Sequence, residues 1–245
     1  EYQNAFIDLT CGSNHQAHKK RIASSFSNLT LSGLPSSTLP FLMQLSNAIC
    51  QKKVNEKAGL EVLEVIESFL VRRAVCGHEP TGLHAVFKKL WGDCNCGPTK
   101  TNVMNSIRKH KTVVWPTDEE FKKAIEARPL YGSAITPFVL IQYDVSLQGD
   151  KPGLTPWIEH VLPDSPVEDW YKIFSKEDHE ALKDTLPNLI PLSAEMNSSI
   201  GNKLYKVKQT RYTKDSSFKS ARQFGTENSE WSPGLMKKRA KKLSN

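Results

Sequence analysis

The chain has 245 residues, 38% of them hydrophobic, and a formal net charge of +7. That apolar content excludes a disordered tail, and no apolar run approaches the ~20 residues of a membrane-spanning helix, so the sequence reads as a globular protein with no membrane segment. The opening EYQNAFIDLT has neither a basic n-region nor an apolar h-region, so no secretory signal is expected. Five cysteines, Cys11, Cys50, Cys76, Cys94 and Cys96, stand at scattered positions. An odd, irregular set does not make a disulfide framework and points to a reducing cytoplasm. The missing initiator methionine is expected of a piece of a longer protein.

The elements follow in chain order. Residues 1–35 are polar and rich in Ser, Asn and Thr, read as a helix followed by a loop. PFLMQLSNAICQKK, from Pro40, is a helix with a Pro start. EKAGLEVLEVIESFLVRRAVCG is the clearest helix, with Leu60, Leu63, Val65, Ile66, Phe69 and Leu70 on one broad face and Gly77 as its stop. TGLHAVFKKLWG and TKTNVMNSIRKHK are two more helices, and PTDEEFKKAIEAR has Thr117 and Glu120 spaced as a capping box. ITPFVLIQYDVSL is apolar enough for a buried strand or helix, and its helical neighbours favour helix. At LQGDKPGLTP, residues 147–156, Gly and Pro cluster and the helical rhythm stops. Beyond it come an extended piece at 157–162, a helical or loop insert at 166–186 and a second extended piece, NLIPLS. A helix from Ala194 to Thr210 follows, capped by Ser193, and a last helix or loop carries the basic end. The expected fold is therefore mainly α with a small β element. A helical linker or scaffold domain, 1–147, precedes a second domain, 148–245.

Charge is unevenly placed along this plan. From Met196 to Asn245 there are 12 Lys+Arg against 3 Asp+Glu, a net of +9, and the preceding 195 residues carry 21 against 23, a net of −2. A positive field concentrated in the last fifth of the chain points to a polyanion, most simply nucleic acid. The bland alternative is a solvated tail ending in MKKRAKKLSN.

The chemistry-bearing pattern is Glu159-His160 in the first extended piece, Asn188 at the start of the second, and Asn197 nine residues later in the first turn of the helix. Two strands and a helix with residues of these types have the layout of a ββα-metal nuclease. An imidazole suits deprotonation of water near neutral pH. A hard divalent cation, Mg²⁺ or Mn²⁺, suits the charge that develops on a scissile phosphate, with oxygen ligands from a carboxylate and an amide. His160 is then the base, Glu159 and Asn197 the metal ligands, and Asn188 the residue that holds the histidine loop by hydrogen bonds. Strand geometry raises one difficulty: Glu159 and His160 point to opposite faces unless the strand ends or bends there. Each residue also has a structural reading, as a core histidine or a turn asparagine, and only their order and spacing favour the site.

In a helix through 194–210, Asn197, Gly201, Leu204 and Lys208 share one face, and Met196, Ile200 and Val207 form an apolar stripe beside it. Lys203, Lys208, Arg211 and Arg239 are candidate DNA-phosphate contacts. Cys76, His78, Cys94 and Cys96 are candidate zinc ligands, although the spacing within each pair is tighter than usual. Arg72 and Arg73 either bind phosphate or pair with acids such as Glu64 and Glu67, and pairing is the expectation. His15, His18, His84, His110 and His179 have no partner pattern and read as surface residues.

WIEHVLPDSP, then LPNLIPLSAEMNSSIGNKLYKVKQTRY, then SSF, a Trp and KKR, resemble in content and order the C-terminal domain of GmrSD-type restriction endonucleases, His-Me finger (HNH-like) nucleases of bacterial anti-phage systems. The resemblance covers about residues 150–245, and IESFLVRRAVCGHEPTGLHAVFKKL is similar to the linker segment of such proteins. It implies His160 as general base, Glu159 beside it as ligand or support, Asn188 as the central Asn and Asn197 as the metal-facing one. Pro187 stands where the family usually has Gly. Family members usually carry an N-terminal sensor and NTPase domain whose motif is not found here. The two-part build is also that of SspE-like, DNA-sulfur-modification-dependent defence proteins, in which phosphorothioation is the mark that is read. The expected function is metal-dependent nicking or cleavage of phage or foreign DNA. A catalytically silent nucleic-acid-binding module and an RNase of the same fold are the alternatives.

Overall fold

The computed structural model describes residues 5–6, 9, 20–31, 33–148, 153 and 155–244. They are mainly helical with one two-stranded sheet. The chain divides into two compact units, Glu1–Thr117 and Asp118–Asn245. Among the described residues no helix is long and apolar enough to cross a membrane.

The first unit is built of α1 (Lys20–Leu31), α2 (Leu39–Cys50), α3 (Glu56–Cys76), α4 (Leu83–Asp93) and α5 (Lys100–Lys109), with a 3-10 turn at Ser36–Thr38. The long α3 starts where the Asn55 side chain accepts from the Ala58 N–H at 2.8 Å and ends at Gly77, whose φ of 79° closes the last turn. Its face of Val62, Leu63, Val65, Ile66, Phe69 and Leu70 is buried, and α1, α2 and α5 pack on it. Arg73 does not pair with Glu64 or Glu67. It is buried and donates to the carbonyls of Val114 (2.7 Å) and Glu79 (2.6 Å), while Arg21 takes Glu64 and Asn28 takes Glu67.

The second unit contains α6 (Asp118–Ala127), α7 (Ile135–Gln148), β1 (Trp157–His160), α8 (Lys176–Leu182), β2 (Leu189–Leu192), α9 (Ala194–Ile200), α10 (Tyr205–Asp215), α11 (Lys219–Glu227) and α12 (Pro233–Leu243). Helix α7 packs on β2 and on α11, and α6 on α12. The Gly/Pro cluster is thus a connection inside one packed unit, and the packing division falls before α6. Residues 149–152 and 154 of that cluster lie outside the described residues.

β1 and β2 pair antiparallel, with Trp157 opposite Leu192, Ile158 opposite Pro191, Glu159 opposite Ile190 and His160 opposite Leu189. Pro191 is tolerated because each strand of a two-stranded sheet has a free edge. All four β2 residues are buried. Ile190 and Leu192 belong to a core shared with Trp170, Phe174, Tyr212 and Trp231.

The sequence pattern predicts one helix from 194 to 210, and here the fold departs from it. α9 stops at Ile200, Gly201 adopts φ 55° and ψ −138°, and Leu204 is extended before α10 begins. No atom of the described residues would crowd a side chain at Gly201, so it is the positive φ that selects glycine. Asn197 and Lys208 therefore stand on different helices, and Val207, expected in the core, is 49% exposed. The last segment is two helices, α11 and α12.

Helices α10 and α11 meet at Gly225. A Cβ there would lie 3.1 Å from the Gln209 carbonyl oxygen and 3.1 Å from the Thr213 nitrogen, both backbone atoms that cannot swing aside. Gly225→Ala is expected to destabilise the chain by about 1–3 kcal/mol through overpacking, read as a lower urea midpoint. A midpoint equal to that of the parent chain contradicts this close approach.

Candidate active site at the end of the first strand

β1 ends at His160, and its pleat sends Glu159 and His160 to opposite sides. Glu159 turns inward. Its Oε1 accepts from Lys208 Nζ at 2.8 Å and from the Tyr212 hydroxyl at 2.7 Å, and Lys208 Nζ donates again to the His160 carbonyl at 2.7 Å. Lys208 is fully buried. Burial pulls its ammonium below the usual lysine range, against the opposing pull of Glu159, and burial followed by Glu159 pushes the Tyr212 phenol well up. The carboxylate expected to hold a metal is matched by a lysine instead. The lysine expected to hold phosphate has its charge inside the protein.

His160 faces the other way. Its Nε2 lies 2.9 Å from Asp184 Oδ1, and its ring packs on that of Tyr131, with centroids 4.0 Å apart and planes tilted by 44°. The Asp184 carbonyl accepts from the N–H groups of Leu130 (2.7 Å) and Tyr131 (3.1 Å), and Pro129 bridges to Thr185. One short pairing of backbone thus sets both neighbours of the imidazole. A carboxylate can only accept, so a neutral imidazole held by this contact would donate from Nε2 and leave Nδ1 with its lone pair.

The loop after His160 is fixed by Asn188, which is completely buried. Its Oδ1 accepts from Leu162 N at 2.7 Å and from Trp231 Nε1 at 3.2 Å. Its Nδ2 donates to the carbonyls of Leu162 (2.8 Å) and Lys183 (2.7 Å). Val161 N–H donates to the Asn188 carbonyl at 2.9 Å. His179 adds a further hold: it is buried, not at the surface, and its Nε2 lies 2.9 Å from the Pro163 carbonyl. Asp164 pairs with Lys183 at 2.9 Å, and that hydrogen bond, with His160 and His179 nearby, draws its carboxyl below the usual range. Pro187 sits in the first turn of the 3-10 segment Leu186–Asn188, where a fixed φ is no burden.

Arg239, expected on DNA, is buried. It donates to the carbonyls of Pro187 (2.6 Å) and Leu189 (3.0 Å) on either side of Asn188, and its guanidinium lies 4.6 Å from the centre of the Phe224 ring. Lys203 and Arg211 remain outward and converge on the end of α9. Lys203 Nζ donates to the Ser199 carbonyl at 2.9 Å, and Arg211 pairs with Asp215 and reaches Ser199 Oγ at 3.4 Å. Asn197 stands on α9, which packs on β1, and its Oδ1 is buried without a hydrogen-bond partner among the described residues. The cysteines do not assemble: among the described residues no three His, Cys, Asp or Glu side chains group as a metal site, and Cys94 is buried with its thiol pushed up to about 11 by burial and by Asp93.

The sequence pattern does not single out Asp184 or Tyr131, and it presents His179 as a surface residue. The only signal for Asp184 was the general rule that a catalytic histidine needs an acid to orient it, and that rule names no position.

A family model for the C-terminal domain of GmrSD restriction endonucleases matches residues 115–245. The chain belongs to the GmrSD restriction endonuclease family. The match begins close to the start of the second compact unit and so takes in α6, α7 and the loop between them, which supplies Tyr131 to the histidine. No curated protein and no solved structure matches the chain.

Removing one partner of a buried charge pair leaves the other without compensation, at a cost of about 3–5 kcal/mol. Lys208→Met is therefore expected to lose stability on that scale in urea, and adding Glu159→Gln to it is expected to restore a substantial part. Independent, additive losses in the double variant contradict the pairing.

Proposed function

We propose that the second unit is a metal-dependent DNA endonuclease of the ββα-metal (His-Me finger) type, acting in a bacterial anti-phage restriction system, with His160 as general base. The observation that carries the reading is the His160–Asp184 pair at the end of β1, in a member of a restriction endonuclease family. His160 Nδ1 takes the proton of the attacking water, and Asp184 steadies the imidazolium that results. Asn188 takes no proton; it holds the loop that fixes where the imidazole stands.

Asn197 Oδ1 is a hard oxygen without a partner among the described residues, the kind of donor that Mg²⁺ or Mn²⁺ takes alongside water and phosphate oxygens. Glu159 is not assigned to the ion, because the Lys208 ammonium on its Oε1 repels a cation. When bound, the ion would neutralise charge on the scissile phosphate and its leaving oxygen. Lys203 and Arg211 would meet the DNA backbone. Discrimination of modified DNA, phosphorothioation included, would fall to a sensor and NTPase domain acting with this chain.

The test is nicking of supercoiled plasmid by the full chain with Mg²⁺ or Mn²⁺, repeated with a chelator. Cleavage is expected with metal and not without it. His160→Ala is expected to lower the rate by roughly 10²–10⁴ while leaving folding and DNA binding in place. Binding without cleavage by the parent chain would favour a silent DNA-binding module. Cleavage of RNA but not DNA would favour an RNase.

A further inference from the structure

Side chains of α7, α11 and α12, with Asn228 just after α11, line a pocket of about 370 Å³ that includes Arg239 in its wall. None of His160, Asp184 or Asn197 lines it. Its volume is that of a small-molecule site. Two features suit the pocket to a polar guest. Ser220 lines it, and its Oγ is buried with no hydrogen-bond partner among the described residues, although the same residue's N–H is satisfied by Asp144. Leaving a buried hydroxyl unmatched costs free energy, and turning the side chain about χ1 into the pocket would let a ligand atom recover it.

The second feature is charge. Lys238, Arg239 and Lys242 face a single acid, Glu227. Glu227 is matched by Lys242 at 2.6 Å and by Gln223 at 2.6 Å, so the positive excess is left for an anion. The wall is not uniformly cationic: Tyr143 and Phe224 add aromatic surface. Asn228 uses its Nδ2 on the Phe224 carbonyl at 2.8 Å, which leaves its Oδ1 as an acceptor for an amino group.

We propose that this pocket binds a single nucleotide unit, an aromatic base with its phosphate. The phosphate lies toward Lys238 and Lys242. The base packs against Tyr143, with its polar edge toward Ser220 and Asn228. Cations for the phosphate, an aromatic surface for the base and spare hydrogen-bonding atoms at its edge are what such a unit requires. A ligand there touches Arg239, whose guanidinium also holds the carbonyls of Pro187 and Leu189. The guest therefore shares one side chain with the turn that carries Asn188. The unit could come from a free mononucleotide or from a nucleotide displaced from DNA, and the experiment separates the two.

The full chain is titrated, without metal, with AMP, GMP, CMP, UMP and inorganic phosphate, and with a short duplex carrying one unpaired nucleotide beside its fully paired control. Binding is followed by calorimetry and ligand-observed NMR. Saturable binding of at least one mononucleotide, tighter than phosphate, is expected. Lys238→Glu is expected to weaken it about tenfold, the scale of one lost charge-assisted hydrogen bond. Ser220→Leu, which fills the pocket, is expected to weaken it as well, and the exposed Lys238 gives a variant that does not touch the core. Saturation by free mononucleotides assigns a free ligand. Preference for the duplex with the unpaired nucleotide, lost in both variants, assigns the DNA source. No saturation by any of these probes, affinity no greater than for phosphate, or binding unchanged in both variants overturns the proposal. Because no cleavage is read, these outcomes stand apart from those of the nuclease assay.

Discussion

The loop that follows β1 depends on one buried amide. Asn188 closes on Leu162 with both ends of its side chain, accepting from the N–H and donating to the carbonyl, and its other bonds tie in Lys183 and Trp231. A buried amide with all its groups matched is rigid, because every alternative position strands a donor or an acceptor in the core. Trp231 belongs to the aromatic cluster with Tyr205 and Phe224, whose ring centres lie 4.8–6.3 Å apart. The hydrophobic core of the second unit therefore fixes the loop through the asparagine, and the loop fixes the end of the strand that carries His160.

Glu159 and His160 illustrate how a strand divides two adjacent polar residues. On the inner face, Glu159 is buried and needs a counter-charge, which Lys208 supplies from α10 together with the Tyr212 hydroxyl. On the outer face, the imidazole meets an acid and an aromatic ring. The inner cluster supports the outer one directly, since Lys208 also holds the carbonyl of His160. The break at Gly201 is part of this: with α9 ended there, α10 starts afresh at Tyr205 and carries Lys208 and Tyr212 beneath β1.

Much of the local structure was legible in the sequence. Ser193 does cap α9, its hydroxyl accepting from the Met196 N–H at 3.3 Å, and Gly77 ends α3. The apolar run from Ile135 forms a helix, and the two extended pieces pair as strands. These are matters of neighbouring residues, which periodicity and turn chemistry report. The partners of the site were not legible for the opposite reason. Lys208 meets Glu159 across 49 residues, and Arg239 meets Leu189 across 50. A basic residue in a basic segment reads as a phosphate contact until the fold shows it buried. Gly201 sat inside an unbroken polar-apolar rhythm, and only its left-handed backbone distinguishes it from a tolerated helical glycine.

In the proposed mechanism Asp184 holds the His160 ring so that Nδ1 is the nitrogen that takes a proton. Imidazole ¹⁵N NMR of the full chain with its histidines neutral reads the tautomer directly. The Nε2–H tautomer is expected for His160 in the parent chain, with a loss of that preference in Asp184→Asn. An Nδ1–H tautomer in the parent chain, or identical tautomer populations in the two proteins, would contradict that role for Asp184.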